Sequence, residues 1–589
     1  MRIRFHPLVA VVFAGLLLAG RQDVDPALRA AVERFFETQV AEDVEGYLAL
    51  WSAGAQRPPA DMLQYVFEGG DDTFSDITIV RVAPQGDRVR VRVSATRERV
   101  MPSRLPGGKP IVRRSKMLIG LTYVRENGEW KLLREGPAFE DLAAALIEAK
   151  TAEEREALLT AEPELLTDSL IHAISGQAGQ AAQLSQYAAA GQGYELMLEV
   201  ARRVGNRRLE GEALQNLGNA RYFQRDFGGA LAAYEQRLAL ERERADDQAV
   251  AAALGGIATI RYSLAEYTPA LSAYREALAL HERLEDESGA AATLISTGNV
   301  LYVQGDYDAA VTDYARSRDL HRKLLDTAGE ADALRGLGRV FMARGDYAGA
   351  LEAFTGVLAE ARARGNRAAQ GQAALSLGEA HLRLGNLVVA RTTFEESREH
   401  FEAEKDAANA GRAWQAIALA ELMAGRFQEA EHGYRSSGSS CAGAGDQACV
   451  ASSLVGLAFA QAAQEKFADA IVSYRKAIAD FTRLGQSEPA ARAEIGLSEA
   501  FSGTGDQAGA IEAATRARHT AVALDNDDVL WRALIAEARA LRRRGDRGPA
   551  VGTAQAALYP LDRLAERAKV RPASPVPRDS AAIFTTLAL

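Results

Sequence analysis

The chain has 589 residues, of which 48% are apolar and 25% are charged, so it is too long for one hydrophobic core and has the composition of a soluble protein. Its formal net charge of −10 argues against a chain built to neutralise a phosphate backbone, and nucleic acid is not an expected partner. Aromatic residues make up only 7% while alanine is abundant, which favours closely packed helices.

The first twenty residues differ from the rest of the chain. Arg2 and Arg4 precede an uncharged run, Leu8–Gly20, which is too short to cross a bilayer, and this arrangement predicts a signal peptide over 1–20. The alternative is an uncleaved signal anchor. The end of the run resembles the lipobox of bacterial lipoproteins, but Arg21 stands where the lipidated cysteine belongs. We therefore expect export to the periplasm or the extracellular space, without a lipid anchor and without a stable membrane span after signal removal.

A helical segment follows the signal. Asp25 and Pro26 form a good helix start, and apolar residues then recur at helical spacing. A second short helix is expected to carry Tyr47, Leu48 and Trp51.

From Ile77 the apolar residues alternate with polar ones, which predicts strands. Asn127-Gly128 is a two-residue hairpin signal between the runs 117–125 and 129–134. Helices followed by an antiparallel sheet that ends in "ENGEWKLL" resemble the nuclear transport factor 2-like fold, which includes the SnoaL-like domains. The resemblance covers about 25–136 and implies a small α+β domain, assigned here to 21–137.

Some members of that group are enzymes with a cavity Asp or His, and others only bind a ligand or oligomerise. This segment contains no histidine, which removes the commonest general base. Asp43, Tyr47 and Trp130 are candidates to point into a cavity, and we expect them to fill space rather than to perform chemistry. The basic stretch 104–116 is expected to be a solvated hairpin. Residues 138–168 are predicted to form a helical connector with a capping box at 151–154.

Beyond the connector the sequence repeats with a period of 40. Alanine occupies every equivalent position, an aromatic residue usually stands three residues before it, and another stands four residues after it. This spacing is one face of a helix, and a small residue twelve positions upstream marks a second helix. The alanines are 190, 230, 270, 310, 350, 390, 430, 470, 510 and 550.

Glycine followed by Asp or Asn separates the two helices of a repeat, as in Gly305-Asp306 and Gly345-Asp346. Each repeat is therefore a helical hairpin. A hairpin of 40 residues cannot bury its apolar face alone, so the hairpins must stack on one another.

These residues resemble the tetratricopeptide repeat (TPR), and Trp414 stands where that family often carries tryptophan. The spacing resembles the long-helix subtype of kinesin light chains and Pins-like adaptors. The resemblance implies a mainly α fold: a TPR α-solenoid, a right-handed superhelix of about ten hairpins over 169–558, preceded by the small α+β domain. A C-terminal helix, a Pro-rich spacer and a partial helix are assigned to 559–589.

Residues for catalysis or metal binding are not evident. The eight histidines lie neither at i,i+4 spacing nor near a cysteine, and no phosphate loop, dinucleotide fingerprint or nucleophile elbow occurs, so we expect no enzyme, no metal and no cofactor. Cys441 and Cys449 flank a corner between helices, where either a disulfide or two free thiols is consistent with the sequence.

One stripe of the first helix of each repeat, at 215, 219 and 222 and their equivalents, lies beside the packing stripe. In repeats of this family that stripe lines the concave wall. Tyrosine and arginine are frequent interface anchors, and asparagine can bind a peptide backbone, although the tyrosines fit helix packing equally well. The candidate partner-binding residues are Asn219, Tyr222, Tyr262, Asn299, Tyr302, Arg335 and Arg339.

The leading hypothesis is an exported, non-catalytic scaffold that binds a protein or peptide in this groove, with the α+β domain as a second binding or oligomerising module. The alternative is a small ligand or simple acid/base catalysis in the α+β domain, which requires a polar cavity between Trp51 and Trp130. A third possibility is the regulatory array of a longer protein, because similar arrays often precede a CHAT-type peptidase domain, of which no Cys/His dyad is present here.

Overall fold

The computed structural model describes residues 24–68, 71–101 and 109–570. The predicted signal peptide, the Pro-rich spacer and the partial helix that follows it lie outside the described residues. The chain divides into two compact units, Met1–Ala265 and Glu266–Leu589, and each is described by itself.

Unit 1 begins with three helices and a four-stranded antiparallel sheet in the order β1-β2-β3-β4. Asp25 caps the first helix, since its side chain accepts a hydrogen bond from the backbone N–H of Ala27 at 3.0 Å. Asn127 and Gly128 both have positive φ, at 51° and 87°, and form the predicted turn between β3 and β4. The elements are α1 (Pro26–Val40), α2 (Val44–Ala49), α3 (Ala60–Glu68), β1 (Asp71–Gln85), β2 (Arg88–Met101), β3 (Ile111–Glu126) and β4 (Glu129–Pro137).

The sheet is more extensive than the alternation of the sequence indicated. β1 begins at Asp71 rather than at Ile77, β3 begins at Ile111, and α3 had no counterpart among the predicted helices. The structure agrees with the predicted solvated hairpin at 104–116 where it describes it, because 111–116 is an exposed strand paired antiparallel with β2; residues 102–108 lie outside the described residues.

The three candidate cavity residues occupy different environments in the α+β domain. Asp43 caps α2 and accepts from the backbone N–H of Gly46 at 2.9 Å. Trp130 is half-buried and packs against the core, and its indole N–H donates to Asp25 at 2.9 Å. Only Tyr47 lies in the core, where it is 2% exposed.

A buried cluster of four charges ties the sheet to the helices that follow it. Arg90 and Arg92 of β2 meet Asp141 of α4 (Ala138–Glu148) and Glu162, which follows α5 (Ala152–Ala161). Nη1 of Arg92 lies 2.6 Å from Asp141, and none of the four residues is more than 2% exposed. Since a buried charge is tolerated only when it is paired, this cluster holds α4 on the sheet.

The rest of the described chain alternates between first and second helices at the predicted period. In unit 1 these are α6 (Asp168–Gln183), α7 (Tyr187–Val204), α8 (Arg207–Phe223), α9 (Phe227–Glu243) and α10 (Asp247–Ser263). In unit 2 they are α11 (Tyr267–Arg283), α12 (Glu287–Gln304), α13 (Tyr307–Lys323), α14 (Thr327–Arg344), α15 (Tyr347–Ala363), α16 (Arg367–Arg383), α17 (Leu387–Ala403), α18 (Ala407–Met423), α19 (Phe427–Gly443), α20 (Gln447–Ala463), α21 (Phe467–Arg483), α22 (Ser487–Thr504), α23 (Gln507–Ala523), α24 (Asp527–Arg544), α25 (Arg547–Ala556) and α26 (Leu558–Val570).

The repeating alanines are the close-contact points of these helices. Their exposed fraction is 0% at each position from Ala190 to Ala510 and 5% at Ala550. The tyrosine four residues after an alanine fills the space beside a glycine, as the ring of Tyr234 does beside Gly218. The predicted class, mainly α with a small α+β part at the N-terminal side, is confirmed.

Candidate functional site

We use the name first-helix stripe for the candidate positions and their equivalents on the first helices α8, α10, α12, α14, α16, α18, α20, α22 and α24. In unit 1 it includes Asn219 and Tyr222 on α8 and Tyr262 on α10. Asn219 is exposed, whereas both tyrosines are half-buried. The stripe is thus accessible to a partner but also contributes to packing.

The side chain of Asn219 is held in one orientation. Its Oδ1 accepts a hydrogen bond of 2.6 Å from the hydroxyl of Tyr234, and burial raises the pKa of this tyrosine, which keeps the hydroxyl protonated. No other hydrogen bond to the Asn219 amide occurs among the described residues. Its NH₂ group therefore faces solvent as a fixed donor.

Tyr222 takes part in helix packing. Its ring lies 5.6 Å from the ring of Phe223 and 5.7 Å from the ring of Phe227, both in edge-on contact. Its hydroxyl lies 3.2 Å from Oγ of Ser263 on the next first helix. Tyr222 therefore contributes to helix packing, and its proposed role in partner binding stays a prediction.

Unit 2 repeats the asparagine arrangement and adds a cation. The hydroxyl of Tyr314 donates to Oδ1 of Asn299 at 2.8 Å. The guanidinium of Arg339 on α14 lies over the ring of Tyr302 on α12, 4.5 Å from its centroid. Arg339 has no ion pair within 24–68, 71–101 and 109–570. Arg335 instead pairs with Asp332 of its own helix at 2.5 Å.

The structure also contains a cleft on this stripe that the sequence analysis did not identify. It has a volume of about 640 Å³ and lies along α16 and α18. Leu419 and Met423 in its wall are 40% and 54% exposed. The residues that line it are Tyr347, Leu375, Glu379, Leu382, Arg383, Phe394, Ala416, Leu419 and Met423.

The apolar character continues on α20, where Phe459, the equivalent of Leu419 one repeat later, is 51% exposed. The signal was present in the sequence, since positions 419 and 459 are apolar where 219, 299 and 339 are polar. The apolar part of the stripe is therefore visible in the sequence when the stripe positions beyond Arg339 are compared from repeat to repeat.

The two cysteines form a disulfide at the corner between α19 and α20, with Cα atoms 5.8 Å apart. The equivalent corner two repeats earlier, between α15 and α16, carries Ala361 and Ala369. Between α13 and α14 the same two places hold His321 and Gly329, and a Cβ on that glycine would meet the imidazole at 2.1 Å. At the corner between α19 and α20 the disulfide thus occupies the place where His321 and Gly329 are in contact between α13 and α14.

The core of the α+β domain contains a polar group. The hydroxyl of Tyr47 donates to the carboxyl of Glu135, and burial raises the pKa of that carboxyl. The hydroxyl of Tyr123 and the indole N–H of Trp51 are buried without a hydrogen-bond partner among the described residues. Two clefts border the α+β domain, one lined by Arg134 and Glu135 and the other by residues 83–88, and neither is lined by Tyr47, Trp51 or Trp130. A ligand cavity between Trp51 and Trp130 stays a prediction.

No group of three or more His, Cys, Asp or Glu placed to hold a metal occurs among the described residues. Within the same ranges no helix combines the length and apolarity that a membrane span needs.

The tetratricopeptide repeat family matches residues 289–363, which extend from α12 to the end of α15. No curated protein sequence matches the chain. Among solved structures, the apo form of RapI is 15% identical and covers 60% of this chain and 98% of its own, with a TM-score of 0.46. BtubC (BKLC) from P. vanneervenii is 23% identical, over 39% of this chain and 92% of its own, with a TM-score of 0.32.

A third solved structure, a Rap protein complexed with Competence and Sporulation Factor, is 12% identical over 67% of this chain and 98% of its own, with a TM-score of 0.35. The array of helical hairpins is confirmed, and the match to the tetratricopeptide repeat family extends over 289–363. The 40-residue subtype and the nuclear transport factor 2-like assignment stay predictions.

Proposed function

We propose that this chain is a non-catalytic scaffold that holds a protein or peptide partner against the first-helix stripe. The observation that carries the proposal is the exposed apolar wall of the cleft along α16 and α18, formed by Leu419 and Met423. Apolar side chains that stay exposed side by side on a soluble protein mark an interaction surface, because their burial by a partner is favourable.

Polar groups on the same stripe are suited to orient such a partner. In unit 2, which contains the cleft, Asn299 offers an amide donor whose direction is set by the buried Tyr314. Arg339 is held on Tyr302 rather than by a carboxylate. Because these groups are ordered before binding, a partner loses less conformational entropy in engaging them.

The described residues of the stripe form no arrangement suited to catalysis, so we propose that the stripe binds a partner. In keeping with the apolar run at 8–20, we further propose that the protein is exported and acts in the periplasm or outside the cell. Nucleic acid is not a proposed partner, given the formal net charge of −10.

The test compares two double variants of the full chain. Leu419→Ser/Met423→Ser removes the apolar wall of the cleft. The matched control is Val388→Ser/Val472→Ser, because these valines are 65% and 67% exposed on the second helices α17 and α21. Affinity purification with mass spectrometry identifies a partner, and its affinity for each purified variant is then measured by calorimetry.

We expect at least a tenfold loss of affinity for the cleft variant and no change for the control. Tyr222→Ala/Tyr262→Ala/Tyr302→Ala tests the polar part of the stripe in the same assay, with the circular dichroism spectrum as the check on folding. Equal affinities of the wild type and the correctly folded cleft variant contradict the proposal.

A further inference from the structure

The outer edge of β3 is open along half of its length. β4 pairs with β3 only from Ile119 to Glu126. The segment Ile111–Leu118 pairs with β2 on one side and with no other strand among the described residues. In an antiparallel ladder, alternate residues direct their N–H and C=O groups away from the neighbour, so about half of the backbone polar groups of this segment are available to another strand.

Among the described residues, no helix or loop covers the part from Ile111 to Lys116. The side chains from Ile111 to Lys116 are all exposed, and Ile111 and Val112 are 49% and 57% exposed. An unpaired and uncovered edge is a template for strand addition, and proteins usually protect such an edge with charged side chains or cover it with another element.

The charges on this edge have one sign. Arg113, Arg114 and Lys116 form no ion pair with any described residue, in contrast to Arg97 of β2, which pairs with Asp72. Glu98 is the one carboxylate directly opposite them in the β2–β3 register, across from Arg114. The edge therefore has uncompensated positive charge on its side chains beside open backbone donors and acceptors.

These cations lie on both faces of the sheet. Successive residues of a strand point to opposite faces, so Arg113 projects on one side while Arg114 and Lys116 project on the other. A flat anionic surface reaches only one face. A strand that lies in the plane of the sheet places its own alternating side chains beside the cations on both faces.

We propose that Ile111–Leu118 receives an acidic, extended segment of a partner protein as a fifth strand of this sheet. The backbone hydrogen bonds of the added strand supply affinity, and its carboxylates pair with Arg113, Arg114 and Lys116. This site is separate from the first-helix stripe, and the inference does not depend on the proposed function.

A second copy of the chain is a poor occupant. When Ile111–Lys116 pairs antiparallel over its full length with the same segment of a second copy, Arg113 of one copy lies opposite Arg114 of the other, and like charges directly opposite each other are destabilising. An acidic strand has the complementary charge and meets the same backbone requirement.

The experiment measures binding of the full chain to a fluorescent, acetylated and amidated peptide of sequence TEVEEVET by anisotropy. Two altered peptides separate the two sources of affinity: one has N-methyl groups on alternate residues, which keeps the charge but removes donors, and one has glutamine in place of glutamate. Hydrogen exchange with mass spectrometry then locates the bound peptide.

We expect TEVEEVET to bind and to protect the amides of 111–118. Both altered peptides should bind at least tenfold more weakly, and Arg113→Glu/Arg114→Glu should weaken the parent peptide at least tenfold. The matched control Arg57→Glu/Arg225→Glu makes the same change of charge at exposed sites elsewhere in unit 1 and should leave binding unchanged.

Equal binding of the N-methylated peptide overturns the proposal, since charge attraction alone then explains the result. The proposal is also overturned if the peptide does not bind while the amides of 111–118 are protected and sedimentation shows that the chain self-associates. So does binding of double-stranded DNA or phosphatidylserine vesicles through Arg113 and Arg114 while the peptide does not bind.

Discussion

The hydroxyl of Tyr234 donates to the side-chain carbonyl of Asn219 at 2.6 Å, and so a buried residue of a second helix sets the direction of an exposed amide on the first helix. The aromatic position that packs the repeat is also the position that orients its surface. Packing and recognition therefore share one side chain.

This hydrogen bond should have a measurable energy. Tyr234→Phe keeps the ring and removes the donor, so we expect the free energy of unfolding to fall by about 0.5–1.5 kcal/mol. Tyr194→Phe is the matched control, because Tyr194 occupies the equivalent place one repeat earlier, where Gly179 has no side-chain acceptor. Urea unfolding measures both variants, and equal losses would contradict the assigned role of Asn219.

Two neighbouring glycines of α10 test the close contact of the helices. A Cβ on Gly256 would lie 2.3 Å from the Tyr234 ring, whereas a Cβ on Gly255 meets nothing within 4 Å. We expect Gly256→Ala to destabilise the protein by about 1–3 kcal/mol through overpacking. Gly255→Ala should stabilise it by up to about 1 kcal/mol through helix propensity. Thermal unfolding of the two variants should show shifts of opposite sign.

The disulfide between Cys441 and Cys449 should stabilise the corner that it closes. From the length of the closed loop alone, the expected contribution is about 2.5 kcal/mol. A reductant should lower the unfolding temperature of the wild type under denaturing conditions that expose the bond, since Cys441 is 0% and Cys449 8% exposed. The Cys441→Ser/Cys449→Ser variant should already be destabilised and should not respond to reductant. A response of that variant would mean that the reductant acts elsewhere.

The buried Glu135 should make stability depend on pH. Burial raises the pKa of its carboxyl and the hydrogen bond from Tyr47 only partly opposes this effect. A raised folded-state pKa contributes stability that is complete below the unfolded value of 4.5 and is lost as the pH rises through the folded pKa. Relative to Glu135→Gln, the wild type should therefore lose unfolding free energy from pH 4 to pH 7, by about 1.4 kcal/mol for each pH unit between the two pKa values.

For Asp141 we expect the free energy of unfolding to change with pH in the opposite direction to that expected for Glu135. Burial would raise the pKa of its carboxyl, but Arg92 and Arg90 outweigh this effect and hold the pKa below its usual value. Relative to Asp141→Asn, the wild type should gain stability as the pH rises above the folded pKa and lose it as the pH falls through that value. If both differences change with pH in the same direction, the assigned environments are wrong.

Much of the fold follows from local patterns in the sequence. The alanine and aromatic positions recur because each hairpin must bury the same face against its neighbours, so one period is sufficient to predict the helices. The turn at Asn127-Gly128 was predictable for a similar reason, since a two-residue hairpin requires positive φ at both positions.

Three-dimensional contacts decided the features that involve residues distant in sequence. The alternation of the sequence did not show the first part of β3, because three of the six residues 111–116 are basic and apolar and polar residues do not alternate there. Its strand conformation comes from pairing with β2. The pairing of Arg92 with Asp141, 49 residues apart, also has no signal in local periodicity.

The candidate binding site divides in the same way. The helical spacing of the sequence alone placed Asn219, Asn299 and Tyr302 on one stripe, because a helix fixes which residues share a face. Only the tertiary structure decided that Arg339 lies on Tyr302, that tyrosines of the second helices orient the asparagines, and that Leu419 and Met423 stay exposed. These features depend on the distances between helices, which the packing of side chains sets and which no period of the sequence encodes.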